Sequence, residues 1–563
     1  MSLYPNRHRL ALFSLKPLNE QAKEVVNDRY NRHLTSSLPD GTLVLDIGFQ
    51  IRSKSNQNRT LATLGRGDAD IFVDGITIAK IQCSFEIEPA TNVIMLYDRS
   101  HGQTTQVFGD DAKPFEPGRV RQVVVQKGLN SRLGMGGRAQ NTVQFEFLWY
   151  QDFPEMVEII KDRESIMNDC EEDPRLARTA DDLETVLPSR MQTRIHTAGP
   201  QQLKMRYMKF GKLGSGQFGA VYKVLDVDTG RFLAVKLLQR PERPSEEAGW
   251  RKLLKREIET LSRISHPHII DYITSQGWEG PSAEIFMGLK DGTLESLILK
   301  GESLPVHRVA KLAFFQMLQA IDCLAVNGIV HRDVKPENIL YTALPDGQYR
   351  FQLGDFGLCN RIVSAQSSVG TPLYTAPEVY EHGAQTHKMD VWSLFVTIAW
   401  TVDFDGLRQN LHRFTSLSEA RQAIFAMTTR IGEIKEMARV DPDERASAAQ
   451  MLVKIFDGEG LSTQRSRVPP LTPTKPETTT QAEFHPRPMP PGPMDYRPDQ
   501  GIQKVPRPAM NQVRVRKSSN PQTRIPGPNT IAPRPRAKKR RLPSNAEHLD
   551  FLPGFRVRPP PNY

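Results

Sequence analysis

A short stretch in the middle of the chain groups side chains suited to phosphate and metal chemistry. It reads His331-Arg332-Asp333-Val334-Lys335-Pro336-Glu337-Asn338, and Asp355-Phe356-Gly357 follows downstream. Phosphoryl transfer needs in-line positioning and neutralised charge more than it needs covalent help. Asp333 can accept a hydroxyl proton and Lys335 can reach a γ-phosphate, while Asn338 and Asp355 offer the oxygen ligands that Mg²⁺ prefers. The stretch therefore predicts phosphoryl transfer from a magnesium-bound nucleotide.

A glycine-rich segment upstream reads Gly214-Ser215-Gly216-Gln217-Phe218-Gly219. Taken alone, this pattern also marks dinucleotide sites and ordinary flexible turns. Here strand-like residues stand on both sides, whereas a dinucleotide fingerprint would open into a helix. A flap between two strands can lay its backbone amides close over phosphates.

A lysine in a third predicted strand completes the phosphate chemistry. Lys236 ends the triplet Ala234-Val235-Lys236, and a stretch of helical periodicity further on carries Glu257. A glutamate there can hold Lys236, which then grips the α- and β-phosphates of ATP. The alternative for Glu257 is a solvated helix face.

In order and spacing, these motifs resemble the eukaryotic protein kinase family. Ala376-Pro377-Glu378 and Asp390-Val391-Trp392-Ser393 extend the resemblance, which also implies that Arg445 pairs with Glu378. It implies a two-lobed α+β protein kinase domain over residues 207–457, with Asp333, Lys335 and Asn338 as catalytic residues. The metal ligands it implies are Asn338 and Asp355. The residues it implies for ATP are Leu213, Gly214, Ser215, Gly216, Gln217, Phe218, Gly219, Val221, Ala234, Lys236, Glu257, Met287 and Leu289.

Specificity and control are also implied by the resemblance. Lys335 together with Gly370-Thr371-Pro372 is the serine/threonine pattern. Arg332 before the catalytic aspartate suggests control by phosphorylation of the activation loop, because a guanidinium can hold a phosphate bidentately. The hydroxyls available there are Ser364, Ser367, Ser368 and Thr371, of which Thr371 is expected to orient the substrate instead.

Three features depart from the family pattern. Alignment puts Phe286 at the gatekeeper position and Met287 where an acidic hinge residue is common, and residues 401–426 match the substrate-docking segment poorly. Substrate docking is thereby left open. A pseudokinase scaffold that reads phosphopeptides is the alternative function, and the intact Lys236, Asp333, Asn338 and Asp355 argue against it.

Residues 10–150 contain many short β-rich segments between turn residues, which predicts a β-sandwich. Gly65-Arg66, the segment from Ile78 to Phe85 and the segment from Asp98 to Thr104 resemble a forkhead-associated (FHA) domain, a family that binds phosphothreonine peptides. The resemblance implies Arg66 and Lys80 as phosphate contacts.

Two replacements weaken that implication. The family serine is Ala79 here and the structural histidine is Gln82, and the asparagine that grips the peptide backbone is not evident. A sandwich used only for docking or dimerisation is the alternative. The order of the two modules resembles fungal FHA-kinases and DNA-damage checkpoint kinases.

The remaining segments have unusual compositions. Residues 151–205 are charged and predict a linker, with a helical piece near Glu155–Met167. Residues 461–563 hold 22 of the 42 prolines, and 19 Lys and Arg against 6 Asp and Glu, so this segment carries +13 and the other 460 residues sum to about −3. Such a composition cannot bury enough apolar surface to offset its ordering entropy, which predicts a disordered Pro/Arg-rich tail.

Partners and location follow from these segments. The cluster Lys538-Lys539-Arg540-Arg541 predicts an import receptor and a nuclear location, with the cytoplasm as a second place. The alternative is a solvating charge run, and the lack of interleaved aromatics argues against a nucleic-acid partner. No stretch is apolar throughout the length that a membrane span needs, so the expected partners are protein substrates and a phosphothreonine protein or second copy at the sandwich.

Overall fold

The computed structural model describes residues 7–55, 59–163, 203–216, 219–241, 243–301, 304–355, 372–380, 386–414 and 416–471. The basic cluster at 538–541 and most of the predicted linker and tail lie outside the described residues.

Two antiparallel sheets build the N-terminal part of the chain. Their strands are β1 (Ala11–Pro17), β2 (Thr35–Ser37), β3 (Leu43–Gly48), β4 (Thr60–Gly65), β5 (Ile71–Phe72), β6 (Cys83–Ile87), β7 (Ile94–Asp98), β8 (Thr105–Phe108), β9 (Gln122–Val124), β10 (Arg132–Met135) and β11 (Val143–Trp149). One sheet has the order β2-β3-β1-β11-β10-β8 and the other β5-β4-β6-β7-β9, in which only the short β4–β5 pair is parallel. Alternating side chains of both sheets meet in one buried core, so the predicted β-sandwich is confirmed.

Two helices accompany the sandwich, α1 (Glu20–Asn27) and α2 (Phe153–Lys161). Helix α2 lies where a helical piece of the linker is predicted, but Met156 and Ile160 are buried in the sandwich core. The end of the sandwich is therefore about ten residues later than the sequence indicated. Apolar residues four apart on one helix face explain this, because such a stripe needs a surface to cover it.

The small lobe that follows is a five-stranded sheet of order β12-β13-β14-β16-β15 with one helix. Its elements are β12 (Tyr207–Gly216), β13 (Gly219–Asp226), β14 (Phe232–Gln239), α3 (Pro244–Ser262), β15 (Tyr272–Gln276) and β16 (Ser282–Gly288). Helix α3 packs Trp250, Leu254 and Ile258 against Leu238 and Ile285 of the sheet.

The large lobe is mainly helical and carries a three-stranded sheet. The strands are β17 (Gly292–Thr293), β18 (Ile339–Ala343) and β19 (Tyr349–Leu353). The helices are α4 (Leu294–Lys300), α5 (Val306–Val326), α6 (Pro377–Tyr380), α7 (Lys388–Thr401), α8 (Leu407–Asn410), α9 (Leu417–Thr428) and α10 (Ala448–Phe456).

Helix α5 is the one described helix that is long and apolar enough to cross a membrane by length and composition. Within the fold, 72% of that stretch is buried, as in the core helix of a globular domain. Helix α10 packs on it and begins at a capping box of Ser447 and Gln450.

The fold continues past the predicted start of the disordered tail at Leu461. Asp322 in α5 accepts hydrogen bonds from the backbone nitrogens of Ser462 and Thr463, at 2.8 and 2.9 Å, and from the Thr463 hydroxyl at 2.6 Å. The prediction was wrong for residues 461–471, because composition alone does not reveal a buried carboxylate elsewhere in the chain that binds them. The rest of the tail lies outside the described residues.

Candidate active site

The loop between α5 and β18 brings three predicted catalytic residues into contact. The Asn338 side-chain amide donates to the Asp333 backbone oxygen and to Asp333 Oδ2, each at 2.8 Å. Lys335 Nζ lies 2.9 Å from the same Oδ2. A base, a cation and an amide are thus fixed on one short turn, at the edge of a cleft where Asp333 keeps a solvent-accessible side chain.

The buried carboxylate of Asp390 holds the backbone of this loop. Asp390 in α7 accepts hydrogen bonds from the backbone nitrogens of His331 at 2.7 Å and Arg332 at 2.8 Å. His331 Nε2 in turn lies 2.9 Å from the Gly354 oxygen, next to Asp355. Burial raises the pKa of Asp390, and the two backbone donors oppose that rise.

Two residues of the site have left-handed backbone conformations, Arg332 with φ of 71° and Asp355 with φ of 49°. Non-glycine residues adopt such angles at a cost, and the cost is tolerated where surrounding contacts fix the conformation. The hydrogen bonds to Asp390 and Gly354 are those contacts. The strained backbone therefore lies at Asp355 and at the residue just before Asp333.

Lys236 of β14 and Asp355 form an ion pair with 2.5 Å between Nζ and Oδ1. Although burial opposes it, the Lys236 ammonium holds the pKa of Asp355 below its ordinary value. Asp355 is thus ionised at neutral pH and aimed at the cleft from the large-lobe side. Glu257 lies in α3 as predicted, but its side chain is outside the described residues.

The strand register decides which residues face the nucleotide. Lys236 stands opposite Val221 and Ile285, and Ala234 stands opposite Met287. Cross-strand partners share one face of a sheet, so Val221, Ala234, Lys236 and Met287 face the same side. Leu289 follows β16 and is half-buried.

Phe286 faces the other way, which corrects the expected gatekeeper. It pairs with Val235, is fully buried, and packs on Tyr207 with ring centroids 5.2 Å apart. The inward-facing residue at this point is Met287. Alignment through the irregular hinge could not fix the register, and a one-residue shift moves a side chain to the opposite face.

Strands β12 and β13 form the predicted flap, with Gly216 opposite Gly219 at its tip. Leu213, Gly214 and Ser215 are exposed along it. Gln217 and Phe218 lie outside the described residues, as do Phe356, Gly357, Ser364, Ser367, Ser368 and Thr371. The roles assigned to these residues remain predictions.

A buried ion pair ties Glu378 of α6 to Arg445, elsewhere in the large lobe. Arg445 donates to both carboxylate oxygens of Glu378, at 2.7 and 2.9 Å, and neither side chain is more than 5% exposed. Arg445 also donates to the backbone oxygens of Lys388, Arg439 and Val440. The sequence-based pairing of these two residues is present in the structure.

The sequence analysis missed two acidic residues beside the catalytic loop. One oxygen of Glu337 is buried without a partner among the described residues. Burial, followed by the nearby charge of Glu337, raises the pKa of Glu295 in the first turn of α4. Glu337 lies inside the motif and was passed over because its neighbours carry the catalytic roles.

The sandwich brings Arg66 and Lys80 together on adjacent segments. The backbone nitrogens of Arg66 and Gly67 donate to the oxygens of Ala79 and Lys80, both at 3.0 Å. Arg66 and Lys80 are exposed, and neither side chain has an ion pair within the part of the chain that the structure describes. Two cations thus project from one edge of the sandwich.

Gln82 does structural work where the FHA family has a histidine. Its Oε1 accepts from the Ala79 nitrogen at 2.8 Å, and its Nε2 donates to the hydroxyls of Thr104 and Thr105, both at 2.9 Å. It is completely buried. One amide side chain therefore ties the two loops of the basic edge together.

The metal ligands implied for Mg²⁺ fit a hard cation. Asn338 offers an amide oxygen and Asp355 a carboxylate. The backbone N–H of Gly354 donates to the backbone oxygen of Asn338 at 2.8 Å, which keeps Asp355 next to Asn338. Within the described ranges, no group of three or more His, Cys, Asp and Glu residues could hold a metal by itself. Nucleotide phosphates would complete the coordination.

Comparison with known proteins agrees with this geometry. Residues 207–456 match the model of the protein kinase domain family. Serine/threonine-protein kinase PAK 1 of Mus musculus is 34% identical over 201 residues, which are 34% of each chain. NUAK family SNF1-like kinase 1 of Homo sapiens is 31% identical over 254 residues, 44% of this chain and 37% of that protein.

The likeness is confined to part of each relative. Cell division control protein 7 of Schizosaccharomyces pombe is 34% identical over 193 residues, 34% of this chain and 17% of that protein. The chain thus spans about a third or less of the curated relatives it matches first. The crystal structure of Rad53 1-466 in complex with AMP-PNP aligns with 73% of this chain and 95% of that one, at 18% identity and a TM-score of 0.43, too low to support an argument.

Residues 207–456 thus form a two-lobed domain that matches the protein kinase domain family, C-terminal to the β-sandwich. The relative from Mus musculus is named as a serine/threonine-protein kinase. The fold class expected from the sequence is confirmed for both modules.

Proposed function

We propose that this chain is a serine/threonine protein kinase that transfers the γ-phosphate of Mg·ATP to protein hydroxyls. The observation that carries the proposal is the contact set of Asp333, Lys335 and Asn338, beside the ion pair of Lys236 and Asp355. The matched family and the relatives' names support the same activity.

Each residue has a defined task in this proposal. Asp333 accepts the proton of the substrate hydroxyl while the oxygen of that hydroxyl attacks the γ-phosphorus. Lys335 neutralises charge on the phosphoryl oxygens. Lys236 holds the α- and β-phosphates, and Asn338 with Asp355 would hold Mg²⁺, which supplies further neutralisation when bound. The pseudokinase alternative is not supported, since this set is intact.

The activity is tested with the full chain, labelled Mg·ATP and a library of serine, threonine and tyrosine peptides. We expect Asp355→Ala to lose at least about 10²-fold in rate, because it removes charge stabilisation of the transition state. Asp346→Ala is the matched control: this aspartate lies in the exposed turn between β18 and β19 and caps only the Gln348 nitrogen. Unchanged labelling by Asp355→Ala would refute the assignment.

A second role belongs to the sandwich, which we propose docks a phosphothreonine segment or a second copy of the chain. The supporting observation is the exposed pair of Arg66 and Lys80 on adjacent segments. A phosphothreonine carries about −1.5 to −2 charge at neutral pH, so two cations suffice for modest binding. Ala79 offers no hydroxyl to the peptide, and weak binding is therefore proposed.

A further inference from the structure

The sandwich and the small lobe of the kinase domain are joined by backbone and side-chain hydrogen bonds. The Val124 nitrogen in β9 donates to the Val227 oxygen at 2.9 Å, just beyond the end of β13. Gln122 Nε2 donates to the Asp228 oxygen and the Thr91 hydroxyl to the Gly230 oxygen, both at 2.7 Å. The turn between β13 and β14 is thus held by the sandwich along its whole length.

A charged cluster reinforces this junction. Asp228 accepts from Arg119 Nη1 of the sandwich at 2.8 Å and also pairs with Arg206, which immediately precedes β12. Arg119 donates in addition to the Lys204 oxygen at 2.6 Å. The side chains of Arg119, Arg206 and Asp228 are only 11%, 9% and 17% exposed. Screening by solvent is weak there. The cluster therefore holds the start of β12 and the end of β13 together at the sandwich.

Apolar packing runs through the same junction. Leu225 and Val227 of the small lobe belong to the buried core of the sandwich. Phe153 of α2 packs on Phe210 with ring centroids 4.7 Å apart, and on Phe232 at 6.3 Å. The base of the β12–β13 hairpin and the sandwich therefore share one core.

The same hairpin carries the glycine-rich flap at its other end. Tyr207 pairs with Asp226 at the base, and Gly216 with Gly219 at the tip. At about 3.3 Å per residue the tip is roughly 30 Å from the base. A Cβ atom at Gly211 or Gly214 would meet no atom within 4 Å, so β12 has open space beside these two glycines. Strand β13 is paired with β14 from Gly219 to Leu225, so the position of the flap is set both by that pairing and by the way its base is held.

We propose that the sandwich is a fixed part of the catalytic small lobe, in which Arg119, Asp228 and Arg206 position the glycine-rich flap over ATP. These are positioning residues, since the contacts described for them are with one another and with the backbone at the junction. The proposal goes beyond peptide docking, because it gives the sandwich a task in an unphosphorylated, monomeric chain. The positioning role rests on the proposed kinase function only where KM and kcat are measured.

The test compares Arg119→Ala and Asp228→Asn with the wild-type full chain. We expect each variant to bind a non-hydrolysable ATP analogue roughly fivefold or more weakly in calorimetric titration. KM for ATP should rise by a similar factor while kcat changes less, because the flap acts in nucleotide binding. Hydrogen exchange of the amides from Lys209 to Val221 should quicken. Arg119→Lys should recover only part of the affinity, since lysine lacks the fork that reaches both Asp228 and Lys204.

The matched control is Arg99→Ala, which breaks an ion pair with Glu86 inside the sandwich and leaves the junction intact. We expect its ATP affinity to equal that of the wild type. Unchanged affinity and unchanged exchange in both junction variants would overturn the proposal, and so would an equal loss in Arg99→Ala.

Two further outcomes are separable. If the junction variants do not fold, Gln122→Ala and Thr91→Val remove single hydrogen bonds to the same turn, and the same readouts decide. If the wild-type chain binds the analogue but transfers no phosphate, the proposed function fails while the affinity comparison still tests the positioning role.

Discussion

The catalytic cleft and the basic edge of the sandwich both present charged groups, but they differ in how those groups are fixed. In the cleft, Asp333 is held by Asn338 and Lys335, and the loop beneath it by Asp390. On the sandwich edge, Arg66 and Lys80 are placed by backbone hydrogen bonds alone, and their side chains extend into solvent.

The two regions differ because catalysis needs its charged groups held in place and phosphate attraction does not. Phosphoryl transfer depends on positions accurate to a fraction of an ångström, so a working site needs supporting contacts around each charged group. An exposed pair of cations needs none to attract a phosphate. On the sandwich, the buried bonds instead go to Gln82, which supports the loops and not the cations.

The largest expected effect is on the buried support of the kinase domain. Arg445→Ala leaves Glu378 buried without its cation, and we expect a loss of about 3–5 kcal/mol in the free energy of unfolding. Arg445→Lys should recover little, because lysine cannot donate to both carboxylate oxygens. Urea unfolding of the full chain measures both.

The control for this variant is Arg430→Ala, an arginine that is 56% exposed and pairs with Asp405. Its cost should stay within about 1 kcal/mol, as for other exposed pairs. Equal costs for Arg430 and Arg445 would mean that burial does not distinguish the two ion pairs.

An intermediate effect is expected at the support of the sandwich loops. Gln82→Ala removes three hydrogen bonds of a buried side chain and leaves the Ala79 nitrogen unsatisfied, which should cost about 1–3 kcal/mol of unfolding free energy. The exposed Gln21 of α1 is the control, and Gln21→Ala should be close to neutral. A neutral Gln82→Ala would contradict the structural role that we assign to this glutamine.

The smallest effect on stability, and the largest on binding, belongs to the basic edge. Arg66→Ala should change the unfolding free energy by less than about 0.5 kcal/mol, because the side chain is exposed. Calorimetric titration should show that the variant loses binding to phosphothreonine peptides that the wild-type chain retains.

The unphosphorylated peptides and the exposed Arg132→Ala variant serve as controls for that titration. If the wild-type chain gives the same heat with both forms of each peptide, the sandwich serves only for docking or dimerisation. In that case the catalytic cleft would carry out chemistry and the sandwich would serve only as a scaffold.

The sequence by itself was sufficient to predict that Asp333, Lys335 and Asn338 share one loop, with Asp355 downstream, and their catalytic roles stay a prediction. Their roles depend on residue types at short separations along one chain segment, and a loop of eight residues leaves few ways to arrange them. The β-sandwich was likewise predictable, since alternating short strands between turn residues have one common solution. Local patterns were enough wherever the contacts are local.

Only the tertiary structure decided the contacts between distant segments. Phe286 turned away from the nucleotide because the β14–β16 register is set by packing across the whole sheet. Ser462 and Thr463 are held by Asp322, far away in the sequence, and one face of α2 is buried by the sandwich that it follows. The junction of Arg119 with Asp228 has no signal in either segment alone, because two charged residues reveal a pairing only when the fold removes both from water.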